Sequence, residues 1–350
     1  MHKLSNSDFK VSNSELENLL KKTYLELGRL NGLLELLPKK EMLLSPFLVL
    51  ESVKSSNIES INSTILEQLQ IQAKGRKPIS AEQKQTENYR LAILAGYDYL
   101  TKTGNFDLDL IKLVQKTLEP NLFGIRDQEK VVIANSVTGK VLWSPPVGKI
   151  LIIELLEDWL VWVNSSNDGL DDLIKVAVLH SHFEAIHPFV DGNGRTGRIL
   201  IILYLVFKKY ISYPCLFISE YILRTRTYYY LHLQEAQSQN SYQGIIQYLV
   251  KGICEKSTYN GNMIIAIAKE KELFSQKLKN ELPKIHSPQL VEYLFQTPFY
   301  SINSLCLDLN LTRNTASKYL RLLQENSFID LYEDKKSKLF YNPVLLSILS

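Results

Sequence analysis

Apolar positions recur every three to four residues along most of this chain, the period of helices that bury one face. The spacing predicts a first helix over Ser14 to Leu37, stopped near Pro38. It predicts a second over about 48–74, broken by Gly75-Arg-Lys-Pro78. Helices follow at Glu82 to Lys102, Leu108 to Leu118, Lys149 to Trp162 and Leu170 to Ile186. Ile199-Leu-Ile-Ile-Leu-Tyr-Leu-Val-Phe207 is apolar all round, so it reads as a buried helix, and three more fill Ser219 to Leu282. The period changes over Val131 to Trp143, where two β-rich runs flank a glycine-containing turn and Ser144-Pro-Pro146 stops the second. That is a hairpin pattern. No repeats or low-complexity tracts interrupt the chain.

The pattern changes again after Pro283-Lys-Ile-His-Ser-Pro288. Two helices, Ser301 to Thr312 and Arg313 to Asn326, precede strands at Phe328 to Tyr332 and Lys338 to Tyr341 around a charged turn. The order resembles a winged helix-turn-helix, with Thr312 capping the second helix and Thr315, Ala316, Lys318 and Tyr319 along it. Arg313, Lys318 and Arg321 favour DNA there, while Glu333 and Asp334 in the wing oppose it, so duplex DNA and a docking protein both stay open as partners of 285–350.

Composition narrows the function class. With 350 residues and 45% hydrophobic content the chain can bury more than one core. A net charge of +3 is too mild to imply nucleic acid by itself. Cys215, Cys254 and Cys306 are odd in number and far apart, which reads as free thiols in a reducing cytoplasm. The N-terminus has no apolar signal segment, and the longest apolar run near the helix of Ile199 is nine residues, so a cytoplasmic protein without a membrane span is expected.

The chemistry concentrates in His187-Pro-Phe-Val-Asp-Gly-Asn-Gly-Arg-Thr-Gly-Arg198. Gly192, Asn193 and Gly194 can turn successive N–H groups towards an anion at the start of the following helix. Arg195 and Arg198 are three apart and can both grip phosphate oxygens. Asp191 supplies a hard oxygen for Mg²⁺, and His187 can accept a proton from a hydroxyl near neutral pH. Base, metal ligand and anion cradle together indicate phosphoryl or nucleotidyl transfer.

Other readings fit less well. Gly192-x-Gly194-x-x-Gly197, with Glu220 further on, matches a dinucleotide pattern, but Pro188 and Asp191 make a poor strand end. Glu184-x-x-His187 resembles half of a di-iron pair, yet the second half is missing, and His180 and His182 read as ordinary helix histidines. No Walker-type loop occurs.

These twelve residues resemble the motif of Fic-domain proteins, His-x-Phe-x-Asp/Glu-Gly-Asn-Gly-Arg-x-x-Arg, and Phe183-Glu-Ala-Ile-His187 resembles that family's lead-in helix. The resemblance implies a mainly α fold: a Fic-type helical core with a short β-hairpin flap, here with the C-terminal winged helix-turn-helix added. It divides the chain into an N-terminal helical region (1–110), a catalytic core (111–258), a connecting helix (259–284) and the winged domain (285–350). It implies AMP transfer from ATP with Mg²⁺ to a Ser, Thr or Tyr hydroxyl of a protein target, the enzyme itself included, releasing pyrophosphate.

By position, the resemblance makes His187 the general base and Asp191 the metal ligand. Gly192, Asn193, Gly194, Arg195, Thr196, Gly197 and Arg198 would contact nucleotide, and Phe189 would anchor the loop. Tyr230 and Gln237 match the tyrosine and amide that the family uses for ribose and adenine. A phosphotransferring branch carries lysine in place of Gly194, so glycine favours AMP transfer over phosphate transfer.

Ser55-Ser-Asn-Ile-Glu59-Ser60 resembles the family's inhibitory helix, whose glutamate pairs with the second motif arginine; here that is Glu59 with Arg198, and Ser60 replaces the usual Gly or Asn. Residues 131–143 correspond to the flap on which a protein substrate docks, with Arg126 at its start. A homodimer would give one route to regulating the inhibitory helix. The rival of another class is a nucleotide-sensing transcription regulator acting through the winged helix.

Overall fold

The structure, a computed structural model, describes residues 4, 9, 13–37, 40, 44–74, 78–128, 131–134, 141–165, 169–334 and 337–349. Those residues are mainly helical with two small sheets, the expected fold class. The N-terminal region contributes α1 (Ser14–Leu36), α2 (Ser45–Ile58), α3 (Ile65–Lys74) and α4 (Ala81–Thr103). Next come α5 (Leu108–Leu118), the hairpin β1 (Ile133–Ala134) and β2 (Val141–Trp143), α6 (Lys149–Asn164), α7 (Asp172–Ile186) and α8 (Asn193–Phe207). Helices α9 (Ser219–Arg224), α10 (Arg226–Gln239) and the 39-residue α11 (Gln243–Glu281) follow. The C-terminal part holds α12 (Pro288–Gln296), β3 (Phe299–Tyr300), α13 (Ile302–Leu309), α14 (Arg313–Glu325), β4 (Asp330–Asp334), β5 (Ser337–Tyr341) and α15 (Pro343–Leu349).

Helix α8 is the centre of the core. Its residues from Arg195 to Leu205 are all buried, which explains why that run is apolar on every side. Helices α7, α4, α5 and α2 surround it, and α1 lies along α11. Helix α7 is likewise buried from Leu173 to Ile186. Two buried helices that meet end to end at a polar loop leave that loop rigidly supported.

One expected element divides. The helix expected over 48–74 is two helices, because α2 stops in a left-handed turn and α3 begins afresh. Ser60 adopts φ +63°, its N–H bonds the Asn57 carbonyl, and the Ile61 N–H reaches the Ser56 carbonyl. That is a Schellman stop. Thr64 then caps α3: the Glu67 N–H donates to its hydroxyl at 3.2 Å, and the Thr64 N–H donates to the Glu67 carboxylate at 3.0 Å.

The hairpin pairs antiparallel, Ile133 with Trp143 and Ala134 with Val141. The rest of the expected flap, 135–140, lies outside the described residues, as does 75–77 of the expected breaking loop. Helix α11 runs without interruption through the division expected at 258/259. In the C-terminal part, Thr312 caps α14 through the Thr315 N–H, and β3, β5 and β4 form one antiparallel sheet. The three cysteines are unpaired, and no helix among the described residues is long and apolar enough to cross a membrane.

Candidate active site

The motif loop joins the C-terminus of α7 to the N-terminus of α8. His187 ends α7 in the left-handed region at φ 49°, and Gly192 begins α8 at φ 78°. Between them Asn193 closes the loop with its side chain: the Phe189 N–H donates to Oδ1 and Nδ2 donates to the Phe189 carbonyl, both at 2.9 Å. Phe189, the expected anchor, is buried with its ring against Phe183. The Gly192 N–H donates to Asp191 Oδ1 at 2.6 Å, and the Thr196 N–H returns to the Gly192 carbonyl.

Arg126 fastens the loop from below. Its Nε donates to the His187 carbonyl at 2.7 Å, and its Nη2 donates to the Pro146 and Ile186 carbonyls at 2.6 and 3.4 Å. Its own N–H bonds the Pro188 carbonyl. One buried guanidinium thus ties the end of the hairpin to the residues around His187. Trp143 of β2 adds a second tie, donating Nε1–H to the Ala185 carbonyl at 2.9 Å.

Burial pushes the His187 imidazole down to about 4, and the nearby Arg126 charge adds to this. Its Nδ1 is buried without a hydrogen-bond partner, and the Glu184 backbone offsets part of the downward shift. A proton on Nδ1 leaves Nε2 as the lone pair able to accept another. At neutral pH the imidazole is uncharged.

The two arginines are held differently. Arg195 is buried with Nη2 at 2.9 Å from Glu119 Oε1 and 3.5 Å from Asp191 Oδ1. The Glu119 contact is a close ion pair, while Arg195 Nη1 is buried without a hydrogen-bond partner. Burial raises the Glu119 carboxyl, against the pull of Arg195.

Arg198 is fully engaged by α2: Nε donates to Ser55 Oγ at 2.8 Å, and Nη2 donates to Glu59 Oε1 at 2.9 Å and to the Ser55 carbonyl at 3.2 Å. Burial opposes ionisation of Glu59, but Arg198, with help from Arg195 and Arg226, outweighs it and holds the carboxyl below its usual range. Glu59 also fills the cup. A Cβ on Gly194 would fall 2.5 Å from Glu59 Oε1, so the carboxylate rests directly on the glycine turn. Only glycine allows that approach.

Ser60 sits where the resemblance expects Gly or Asn, and the left-handed backbone explains that expectation. A non-glycine residue there costs about 1–2 kcal/mol. Ser60→Gly is therefore expected to raise the thermal midpoint; an unchanged or lower midpoint would show that the left-handed turn carries no strain.

Behind Arg198 lie Glu51, which sequence reasoning did not assign, and Glu184, His180 and His182, which it read only as a di-iron half-pair and ordinary helix histidines. Glu51, one turn before Ser55, is buried and accepts from Tyr89 Oη at 2.9 Å, the Ser219 N–H at 3.0 Å and Ser219 Oγ at 2.5 Å. Burial raises the Glu184 carboxyl to about 8, and its Oε1 is unpartnered against Gly197. Gly197 thus marks the close approach of α8 to α7. His180 Nε2 meets Tyr229 Oη at 2.8 Å, and burial pushes both His180 and His182 down to about 3. Those histidines each leave one ring nitrogen without a hydrogen bond, so they are only half satisfied. The repeat Glu51, Ser55, Glu59 at four-residue spacing was the available signal for the α2 face. Nothing local pointed to Glu119.

Tyr230 lies under Arg226, whose guanidinium is 5.5 Å from the ring centroid, and burial with the Glu59 charge raises its hydroxyl. Gln237, two turns on, lines a cavity of about 320 Å³ together with Trp143, His182 and Tyr242. The Asp191 carboxylate side chain is 53% exposed, and no cluster of three or more metal-binding side chains occurs among the described residues. A single open carboxylate is a donor that suits Mg²⁺, which takes one or two carboxylates alongside substrate phosphates.

Comparisons agree with this architecture. Residues 18–98 match the model of the Fic/DOC family N-terminal region, 105–205 that of the Fic/DOC family, and 271–345 that of the "Protein adenylyltransferase SoFic-like, C-terminal domain". The chain is 28% identical over 149 residues to protein adenylyltransferase fic-1 of Caenorhabditis briggsae, a stretch covering 39% of this chain and 28% of that protein. It is 28% identical over 169 residues to a probable protein adenylyltransferase of Aquifex aeolicus, covering 45% of each. The match thus spans less than half the length of either relative.

Among solved structures, a Fic family protein from Desulfovibrio desulfuricans superposes with a TM-score of 0.60 at 20% identity, covering 96% of this chain and 98% of that one. A Fic domain containing signaling protein from Bacteroides thetaiotaomicron gives 0.55 at 18% identity, covering 72% of this chain and 97% of that one. With its central loop, both flanking helices and the preceding helical region all matched, the chain belongs to the Fic/DOC family.

Proposed function

We propose that this chain is a self-inhibited protein adenylyltransferase that moves AMP from ATP to a hydroxyl of a protein, itself included. The observation that carries the reading is a carboxylate, Glu59, already held against Gly194 and Arg198. A site that grips one anion between a glycine turn and a buried guanidinium is suited to gripping phosphate.

In this reading Arg198 and Arg195 hold the outer phosphates once Glu59 withdraws, and the start of α8 neutralises charge on the remainder. The target segment adds along β2, and its Ser, Thr or Tyr hydroxyl loses a proton to His187 Nε2. The new oxygen–phosphorus bond forms at the α-phosphate as the bond to pyrophosphate breaks, so pyrophosphate leaves with the displaced electron pair. Mg²⁺ held through Asp191 would supply charge neutralisation to the phosphates. Tyr230 and the cavity beside Gln237 provide an apolar wall and an amide for the base and sugar.

Incubation with ATP labelled on the α-phosphate tests the reading, since only AMP transfer carries that label onto protein. Intact mass separates AMP from UMP or a bare phosphate. A second reading, a nucleotide-sensing regulator that binds duplex DNA, draws on the exposed face of α14, where Asn314, Ser317, Lys318 and Arg321 fall at helical spacing. A gel shift on promoter DNA with and without ATP tests it; binding that responds to ATP in a protein that never labels would favour this reading.

A further inference from the structure

The inhibitory helix has two working faces, and the second has no part in the site. Glu51, Ser55 and Glu59 point towards Ser219 and Arg198. Val49 and Val53, on the opposite side of α2, are buried in a separate apolar cluster with Leu69 and Ala73 of α3 and with Phe299 and Leu339 of the C-terminal sheet. Tyr332, Tyr341 and Leu346 pack around this cluster.

The sheet register explains how the C-terminal part reaches α2. Phe299 pairs with Tyr341 and Tyr332 with Leu339, and paired residues share a face. That face carries Phe299, Leu339, Tyr332 and Tyr341 against α3 and into the cluster that Val49 and Val53 of α2 complete. Phe340, on the other face, packs into the main core with Ile329 and Leu320. Leu339 therefore serves this cluster, against α3 and beside Val49 and Val53 of α2, and not the interior of its own domain.

We propose that Phe299 and Leu339 are positioning residues for inhibition: the C-terminal sheet backs α2 and holds Glu59 on Arg198. The proposal rests on the reading of Glu59 as the inhibitory group. Helix α2 is gripped between Arg198 in front and the sheet behind. Withdrawing Glu59 by moving α2 uncovers Val49 and Val53, so the apolar contact sets the fraction of molecules with an open cup. A cleft of about 300 Å³, lined by Leu50, Lys54, Ile65 and Leu349 together with Glu220 and Lys256, opens beside the contact.

The test compares self-labelling from α-labelled ATP in the full-length native chain, Leu339→Ala, Glu59→Gly and the double variant. Truncating one buried leucine at this contact is expected to raise labelling roughly tenfold. Labelling of the double variant should equal that of Glu59→Gly alone, because removing the carboxylate leaves nothing for the sheet to position. Simple destabilisation would lower labelling in both backgrounds.

Labelling by Leu339→Ala at the native level, or an equal further rise in the Glu59→Gly background, overturns the proposal. If Glu59→Gly itself leaves labelling unchanged, the inhibition reading fails first; if only Leu339→Ala is silent, the clamp alone fails. Should a thermal melt show Leu339→Ala unfolded, Tyr332→Ala at the cluster rim makes the same comparison with the same expected direction.

Discussion

Replacing His187 with alanine is expected to lower labelling from α-labelled ATP by about 10²- to 10⁴-fold in a Glu59→Gly background, the range for loss of a general base. The imidazole carries no fold-determining contact: its Nδ1 has no hydrogen bond, and the loop is closed by Asn193 and Arg126 instead. Histidine already occupies this left-handed position and is only somewhat better suited to it than alanine, so the variant folds with at most a slightly lower midpoint. His187→Asn, which tolerates that backbone, should lose activity equally while keeping the midpoint. Activity within tenfold of the parent in both variants would remove His187 from the chemistry.

The same imidazole fixes a pH dependence. Its value lies below the ordinary histidine range, at about 4, so the neutral, proton-accepting form persists as pH falls through 6.5. The acid limb of kcat/KM, which reports the free enzyme, should therefore fall near 4. A limb at or above 6.5 would mean that the base is another group or that the ring is solvated.

Replacing Glu59 with glycine is expected to raise labelling about 10- to 150-fold, the factor that corresponds to one hydrogen bond between charged partners. The lower part of that range applies, because the glutamate side chain is 35% exposed and solvent screens part of the attraction. The substitution also strands a cation. Arg198 is buried, and without Glu59 its remaining hydrogen-bond partner is Ser55. An uncompensated buried charge is strongly destabilising. The variant should melt lower than the native chain without nucleotide, and ATP with magnesium should raise its midpoint more than the native one. Equal shifts in both proteins would mean that Glu59 does not compete with phosphate.

The motif was legible because its chemistry is local. Residues 187–198 carry base, carboxylate, turn and guanidiniums within one loop, and the structure joins them through the ends of two adjacent buried helices. The helices were legible wherever one face is apolar, and α5 has the expected bounds. The break between α2 and α3 was not read, although Thr64-x-x-Glu67 is a capping pair visible in the sequence.

Long-range partners were legible only through resemblance. Glu59 meets Arg198 from 139 residues away, and no spacing predicts it. Glu119 beside Arg195, and Arg126 bonding three carbonyls, had no local pattern at all. Alternation along Leu339-Phe-Tyr341 separates two faces of a strand, but it cannot say that one face joins Val49 and Val53 of α2 in a cluster.

Intact-mass spectrometry of the Glu59→Gly chain, after incubation with ATP and magnesium, tests the central claim most directly. The account predicts whole increments of one AMP that vanish when His187 is also replaced. An unmodified mass, or increments of a bare phosphate, would contradict it.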